Sequence, residues 1–215
     1  MPHHFSSPAE ILRTVPATVG LIACSLLGFL LFYLAPFTWV SLFTFTDFQI
    51  AGDQIRFIDT QGQYWRLLTP VFLHFGWLHI TFNSLWMWEL GGLVEQRLGS
   101  LLLLVLVLLC GIGSNFAQYW DSGPSLFGGM SGVVYALLGF CWIYNLIWPQ
   151  GGLLIPRGIL IFMLGWLVFA MLGSTEALGF GTVANAAHLG GLVLGCFGGA
   201  TAGLYQSIVK LQGNS

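Results

Sequence analysis

Long apolar segments without a charged residue leave this chain few possible folds. No acidic or basic residue occurs between Arg13 and Asp47, which leaves room for a helix over residues 15–35 that Pro36 ends. A helix that crosses a bilayer needs about 20 mostly apolar residues. Only 7% of the 215 residues are charged, against about 25% in soluble domains. The chain is therefore expected to be an integral membrane protein.

Five further apolar segments, separated by turn signals, predict five more helices. Their predicted bounds are 77–94, 101–118, 131–148, 158–172 and 183–205. Residues 37–68 are too polar to span and rich in aromatic side chains, so they are predicted to form a loop in the membrane interface. The expected fold class is an all-α membrane protein, a bundle of six transmembrane helices with a large interfacial first loop. One domain over 15–206 would then carry two short tails, 1–14 and 207–215.

The distribution of basic residues predicts the orientation of the bundle. An even number of spans places both termini on one side, and four of the six basic residues fall on that side. Because Lys and Arg accumulate on the cytoplasmic side, both tails are expected to be cytoplasmic. The fourth helix is short, so its first residue, Ser131, would lie within the membrane below the opposite surface.

Ser131 lies in the sequence G-G-M-S-G at the start of the fourth predicted helix. Glycines at 128, 129 and 132 allow a neighbouring backbone to approach closely and allow a sharp turn into the helix. The first N–H groups of a helix have no intrahelical partner. A hydroxyl in this position can act as a nucleophile beside an anion site, although packing of small residues alone also explains the pattern.

Three polar side chains are predicted at a depth similar to that of Ser131. His79 and Asn83 are spaced i,i+4 on one face of the second helix, and His188 lies near the start of the sixth. Histidine is the usual base that activates a serine, and an amide or imidazole N–H can stabilise an oxyanion. No acidic residue lies near His188 in sequence, so a Ser–His dyad is expected. A core histidine, an interhelical hydrogen bond from Asn83 and an interfacial position for His74 remain the plainer interpretations of each residue alone.

Small residues predict close packing between the fourth and sixth helices. On the sixth helix glycine recurs every four residues, and the fourth helix has small residues at similar spacing. Packing of these faces would bring His188 against Ser131, with Tyr135 stacked on the imidazole. The small residues are Gly191, Gly195, Gly199 and Gly203 on the sixth helix, and Gly132, Ala136 and Gly139 on the fourth.

Taken together, these motifs resemble the rhomboid family of intramembrane serine proteases of bacteria, over about residues 65–203. The motifs are W-R at 65–66, H-I-T-F-N at 79–83, G-M-S-G at 129–132, Tyr135, and A-H-L-G-G-L-V-L-G at 187–195. The resemblance implies a nucleophile, a general base and acid, and an oxyanion site completed by the backbone N–H of the nucleophile. By this resemblance Ser131 would be the nucleophile, His188 the general base and acid, and His79 with Asn83 the oxyanion donors. Gly129 would permit close packing, and Tyr135 would stack on His188. Trp166 would belong to a gate for substrate.

The resemblance also implies partners and a location. Substrates would be single-pass transmembrane proteins cut in or near their span within the lipid bilayer, with no cofactor, no metal and no nucleic acid. The protein would be a monomer or weak homo-oligomer in the bacterial inner membrane, with its site open to the periplasmic side. The glycine-containing loop 176–181 would make the gate mobile. Neither C-x-x-C nor H-E-x-x-H occurs, which argues independently against a metalloprotease.

Two other classes of function fit parts of the sequence. A non-catalytic scaffold could hold client helices in the same cavity, and it would keep its activity when Ser131 is replaced by alanine. A small transporter could use the glycine-rich break before the fourth helix as a binding site. The sequence lacks the internal repeat and the paired broken segments that such a transporter needs.

Overall fold

In the computed structural model the chain is described over residues 7–52, 54–59, 62–177 and 182–213. Asp53 of the predicted first loop and residues 178–181 of the predicted gate loop lie outside this part. The α-helices are α1 (Pro8–Thr14), α2 (Pro16–Leu34), α3 (Phe37–Ser41), α4 (Trp77–Trp86), α5 (Gly92–Leu98), α6 (Ser100–Ser122), α7 (Ser131–Ile147), α8 (Arg157–Met171), α9 (Ser174–Ala177) and α10 (Asn185–Gly213). A π-helical turn, Met87–Gly91, joins α4 to α5. Short 3₁₀ turns are Tyr64–Leu67, Thr69–Phe72 and Pro149–Gly151.

The predicted all-α membrane class is confirmed. Within the described ranges, three helices are long and apolar enough to cross a membrane, namely α2, α6 and α10. Two further apolar helices, α7 and α8, are shorter. The count of six spans and the division into one domain with short tails stay predictions.

Two predicted helices extend further than their apolar segments. The third continues past Gln118 to Ser122 and ends where Gly123 adopts a φ of 67°. The sixth begins at Asn185 and runs on to Gly213. Hydropathy marks the apolar part of a helix, whereas the helix itself ends where the backbone meets a residue that breaks it.

The predicted first loop contains regular structure. After α3, strands β1 (Asp47–Ala51) and β2 (Gln54–Ile58) pair antiparallel, with Asp47 opposite Ile58 and Ala51 opposite Gln54. Gly52 supplies a positive φ of 63° in the connection, a conformation that costs glycine little. The segment is therefore a hairpin with short helical turns rather than an irregular loop.

Arg66 fixes this segment onto the bundle. Its side chain is only 1% exposed, and it donates to the carbonyl oxygen of Thr44 at 3.1 Å and to Gln63 Oε1 at 2.7 Å. It also donates to the carbonyl oxygen of Ser41 and forms an ion pair with Asp47 at 3.2 Å. A buried guanidinium that is satisfied on several sides holds the loop in one place.

The core is centred on α7. Every residue from 132 to 141 is buried, and α6 and α10 pack along this helix. A Cβ on Gly191, Gly195 or Gly199 would overlap the backbone of Gly132, Ala136 or Phe140 respectively. The predicted packing of glycine faces is thus confirmed, and it brings α7 and α10 into backbone contact.

A buried carboxylate ties α2 to the start of α6, at the opposite end of the bundle from Ser131. Glu95 is 4% exposed and accepts hydrogen bonds from the backbone N–H groups of Ala17 and Thr18 at 2.8 and 2.7 Å. It also accepts from the hydroxyls of Thr18 at 2.7 Å and Ser100 at 2.6 Å. Because α2 has no side-chain cap of its own, Glu95 satisfies N–H groups that would otherwise be buried without a partner.

Candidate active site

Ser131 is the first residue of α7, and the turn before it depends on glycine. Gly129 has a φ of 109°, a conformation that residues with a Cβ rarely adopt. A Cβ at this position would also lie 2.5 Å from Nε2 of His79. The imidazole of His79 therefore rests directly on the backbone that leads into Ser131.

The hydroxyl of Ser131 and the imidazole of His188 are in hydrogen-bond contact. Ser131 Oγ lies 2.7 Å from His188 Nε2, although the residues are 57 positions apart in sequence. His188 is 5% exposed, and its Nδ1 atom is buried without a hydrogen-bond partner in the described part of the chain. In this geometry Nε2 can accept the serine proton, and among the described residues no carboxylate is bonded to Nδ1 on the other side of the ring.

Tyr135 packs on the same imidazole one helical turn after Ser131. The ring centroids of Tyr135 and His188 are 4.8 Å apart, at an interplanar angle of 33°. The phenol hydroxyl donates to the carbonyl oxygen of Met163 in α8 at 2.9 Å. Tyr135 is thus held at both ends, and it limits how far the imidazole of His188 can turn.

Asn83 lies one turn after His79 on α4. It is 4% exposed, and its amide nitrogen donates to the backbone carbonyl oxygen of His79 at 3.0 Å. This hydrogen bond is within α4, whereas the plainer interpretation of Asn83 was a bond between helices. The amide nitrogen carries two N–H donors, so this hydrogen bond leaves a second N–H for another group.

Trp166 does not join this cluster. Its side chain is 41% exposed on α8, and its ring lies beside Phe169 of the same helix, with centroids 5.6 Å apart. A contact between α8 and α4 is made instead by Phe162 and Trp86, whose ring centroids are 6.0 Å apart.

Residues of α6 and α8 hold the start of α10 in place. Gln118 Oε1 accepts the backbone N–H of Ala187 at 3.1 Å, immediately before His188. Asn185 Nδ2 donates to the carbonyl oxygen of Ala170 at 3.1 Å. Neither side chain was singled out from the sequence, because each partner is a backbone group far away along the chain.

The expectation of an interfacial His74 is wrong. His74 is fully buried; its Nδ1 atom lies 3.1 Å from the carbonyl oxygen of Phe72, and its Nε2 atom accepts the backbone N–H of Met130 at 3.4 Å. Its ring centroid is 4.9 Å from that of His79. Burial, and after it the neighbouring His79, lowers the pKa of His74 to about 3, against the opposing effect of the Phe72 carbonyl. The imidazole is therefore neutral at ordinary pH.

No candidate metal centre accompanies these groups. In residues 7–52, 54–59, 62–177 and 182–213, no three His, Cys, Asp or Glu side chains are grouped so that they could hold a metal ion. The arrangement offers instead a hydroxyl, an imidazole base and several N–H donors. These are the groups that nucleophilic acyl transfer requires.

Comparison with known proteins relates the chain to a family model and to a named relative. A family model described as the Rhomboid domain matches residues 61–205, a range that contains Ser131, His188, His79 and Asn83. The chain is also 48% identical over 155 residues to a protein named Rhomboid protease GlpG from Serratia proteamaculans (strain 568). The aligned region covers 68% of this chain and 54% of that protein, so the chain spans about half the length of this curated relative.

Proposed function

The chain belongs to the rhomboid family, and on that premise we propose that it is an intramembrane serine endopeptidase that cleaves single-pass membrane proteins in or near their transmembrane segments. The family match and the similarity to a protein named as a rhomboid protease support the type of reaction. The observation that carries the proposal is the 2.7 Å distance between Ser131 Oγ and His188 Nε2.

Ser131 is the nucleophile, and His188 is the general base and acid. As Ser131 Oγ attacks the scissile carbonyl carbon, its proton passes to His188 Nε2, and the imidazolium then gives that proton to the leaving amine. The peptide C–N bond breaks and an acyl-enzyme remains. Water, deprotonated by His188, then attacks the ester, and the proton returns to Ser131 as the acid product leaves.

The oxyanion that forms in each step is stabilised by N–H donors around Ser131. The backbone N–H of Ser131 has no intrahelical partner because it is the first residue of α7. The imidazole of His79 lies against Gly129, two residues before the nucleophile. The second N–H of the Asn83 amide, which the bond to the His79 carbonyl oxygen does not use, is the third donor. Removing one such donor typically costs about 10²–10³ in kcat.

The membrane setting fits a substrate that enters from the bilayer. The protein is integral to the membrane. The proposal places it in the bacterial inner membrane, with both termini in the cytoplasm and the site open to the periplasmic side. Trp166 and the exposed face of α8 form the gate toward lipid. No cofactor takes part: Ser131 and His188 are catalytic, and His79 and Asn83 stabilise the oxyanion. Gly129 and Tyr135 support these groups, in a monomer or weak homo-oligomer.

The test is cleavage of tagged single-span substrates in liposomes, together with labelling of Ser131 by a fluorophosphonate. The wild type should cleave and be labelled, whereas Ser131→Ala and His188→Ala should do neither. Ser207→Ala is the matched control, because in the described part of the chain the Ser207 hydroxyl bonds within its own helix, to the carbonyl oxygen of Gly203. A wild type that is inert to both substrates and probe, or a Ser131→Ala variant that still cleaves, would overturn the proposal in favour of a scaffold.

A further inference from the structure

His74 lies beneath the turn that carries Ser131 and contacts no solvent. The turn rests on the segment 70–74 at successive points: Gly129 N–H donates to the carbonyl oxygen of Pro70 at 2.9 Å. A Cβ on Gly128 would approach the same oxygen to 2.9 Å. Met130 N–H donates to His74 Nε2 at 3.4 Å. In these contacts His74 supplies a polar side-chain atom, whereas Pro70 supplies a backbone atom.

The two neighbours of His74 specify one tautomer. A backbone N–H can only donate, so Nε2, which accepts from Met130, must carry no proton. Nδ1 then carries the proton and donates it to the carbonyl oxygen of Phe72. Both ring nitrogens are used, and the ring has no freedom to flip without losing both bonds.

His74 also contacts the second part of the proposed oxyanion site. Its ring centroid lies 4.9 Å from that of His79, at an interplanar angle of 54°. On its other side, the His79 ring touches Gly129. A single buried side chain therefore supports both the backbone immediately before Ser131 and the imidazole that lies beside it.

We propose that His74 is a positioning residue that sets the Ser131 backbone N–H and the His79 imidazole at the distance an oxyanion requires. The inference rests on the proposed function, and it adds a residue that does not touch substrate. Small displacements matter here, because a misplacement of about 1 Å can cost about a hundredfold in rate.

Two substitutions separate the hydrogen bond to Met130 from the bulk of the ring. In His74→Gln the amide oxygen reaches the place of Nε2 and can still accept from Met130. In His74→Asn the shorter amide reaches only the place of Nδ1, so Met130 N–H is left without a partner. Both replace an imidazole by an amide, which makes each the control for the other.

The readout is kcat and KM for a single-span substrate in liposomes, with the melting temperature of each variant. We expect His74→Asn to lower kcat by about tenfold or more with KM unchanged, because a displacement of about 1 Å at the site can cost about a hundredfold in rate. We expect His74→Gln to recover most of kcat at a melting temperature similar to that of His74→Asn. Equal kcat in the two variants, or losses that simply follow the melting temperature, would overturn the positioning role while leaving the protease in place.

The wild type provides a second measurement that does not depend on variants folding. In protein labelled with ¹⁵N-histidine, His74 should show a protonated Nδ1 and a bare Nε2 from about pH 5 to about pH 8. The opposite tautomer, or titration within this range, would overturn the inference. A wild type inert to both substrate and fluorophosphonate would remove the proposed function itself and this role with it.

Discussion

Gly129 combines two requirements in one residue. Its φ of 109° favours glycine, and a Cβ there would strike the His79 ring. Gly123 has only the first of these requirements: its φ of 67° is positive, but a Cβ there would meet no atom within 4 Å. Substitutions at Gly129 and Gly123 therefore separate the effect of backbone strain from the effect of displacing the His79 imidazole.

We expect Gly129→Ala to abolish most cleavage and Gly123→Ala to preserve it. Both alanines are forced into a left-handed conformation that costs about 1–3 kcal/mol. Only the first also pushes His79 from its place, which should lower kcat by about a hundredfold. Cleavage rates and melting temperatures in one detergent test this. A Gly129→Ala variant with wild-type kcat would show that the His79 position is not needed.

Tyr135 has two contacts that substitution can separate. Tyr135→Phe keeps the ring stacked on His188 and loses the 2.9 Å hydrogen bond to Met163, so it should reduce stability by about 0.5–1.5 kcal/mol and retain most of kcat. Tyr135→Leu also loses an aromatic contact worth about 0.5–1.5 kcal/mol, and kcat should fall by roughly two- to tenfold more. Equal kcat in the two variants would mean that stacking does not orient the base.

Among the helices, α7 and α10 contact each other through backbone atoms, whereas most helix pairs contact each other through side chains. Gly195 faces the carbonyl oxygen of Ala136 with no room for a methyl group. Gly198, on the same helix, has ordinary van der Waals distances, the nearest being 3.5 Å to Phe140. The packing therefore requires glycine at position 195, whereas it leaves room for a methyl group at position 198.

Gly195→Ala should destabilise the protein by about 1–3 kcal/mol, because a methyl group must separate two backbones. Gly198→Ala should be neutral or slightly stabilising, since alanine favours a helix over glycine by about 1 kcal/mol. Thermal unfolding in detergent compares the two. If both variants melt alike, close packing at Gly195 contributes no specificity to the α7–α10 contact.

The parts of the fold and site that could be predicted are those with a local signal. Ser131 is recognisable because it lies between glycines, and His188 because it is a polar residue in an apolar segment. Each helix is recognisable from its hydropathy. His74 has no such signal, because its partner Met130 lies 56 residues away and nothing between them marks the contact. The hairpin in 37–68 was missed for a related reason: its aromatic side chains suit an interfacial loop and a strand equally well.

Across the bundle as a whole, the distribution of basic residues predicts the orientation in the membrane, and this prediction is open to a direct test. Trp120, near the end of α6, is 92% exposed and is expected on the periplasmic side. Gln150, in the turn after α7, is exposed and is expected on the cytoplasmic side. Trp120 lies at the end of the bundle that carries Ser131, and Gln150 lies at the other end.

In a variant whose native cysteines are replaced by alanine, Trp120→Cys should react with an impermeant maleimide in intact spheroplasts. Gln150→Cys should react only after the membrane is opened. Retained cleavage activity in both variants checks that the fold is intact. The reverse pattern of labelling would place Ser131 near the cytoplasm and contradict the positive-inside assignment.

The Nδ1 atom of His188, which has no hydrogen-bond partner in the described part of the chain, bears on how protons would move in the proposed reaction. Because no described residue accepts from this atom, we expect a single proton to transfer from Ser131 Oγ to His188 Nε2 as the proposed acyl-enzyme forms. The rate of that step in mixtures of light and heavy water should then decline linearly with the deuterium fraction. A curved dependence would reveal a second moving proton, and with it a hidden relay such as an ordered water on Nδ1. A linear dependence on the deuterium fraction is thus what we expect of a histidine base whose Nδ1 is not bonded to a carboxylate.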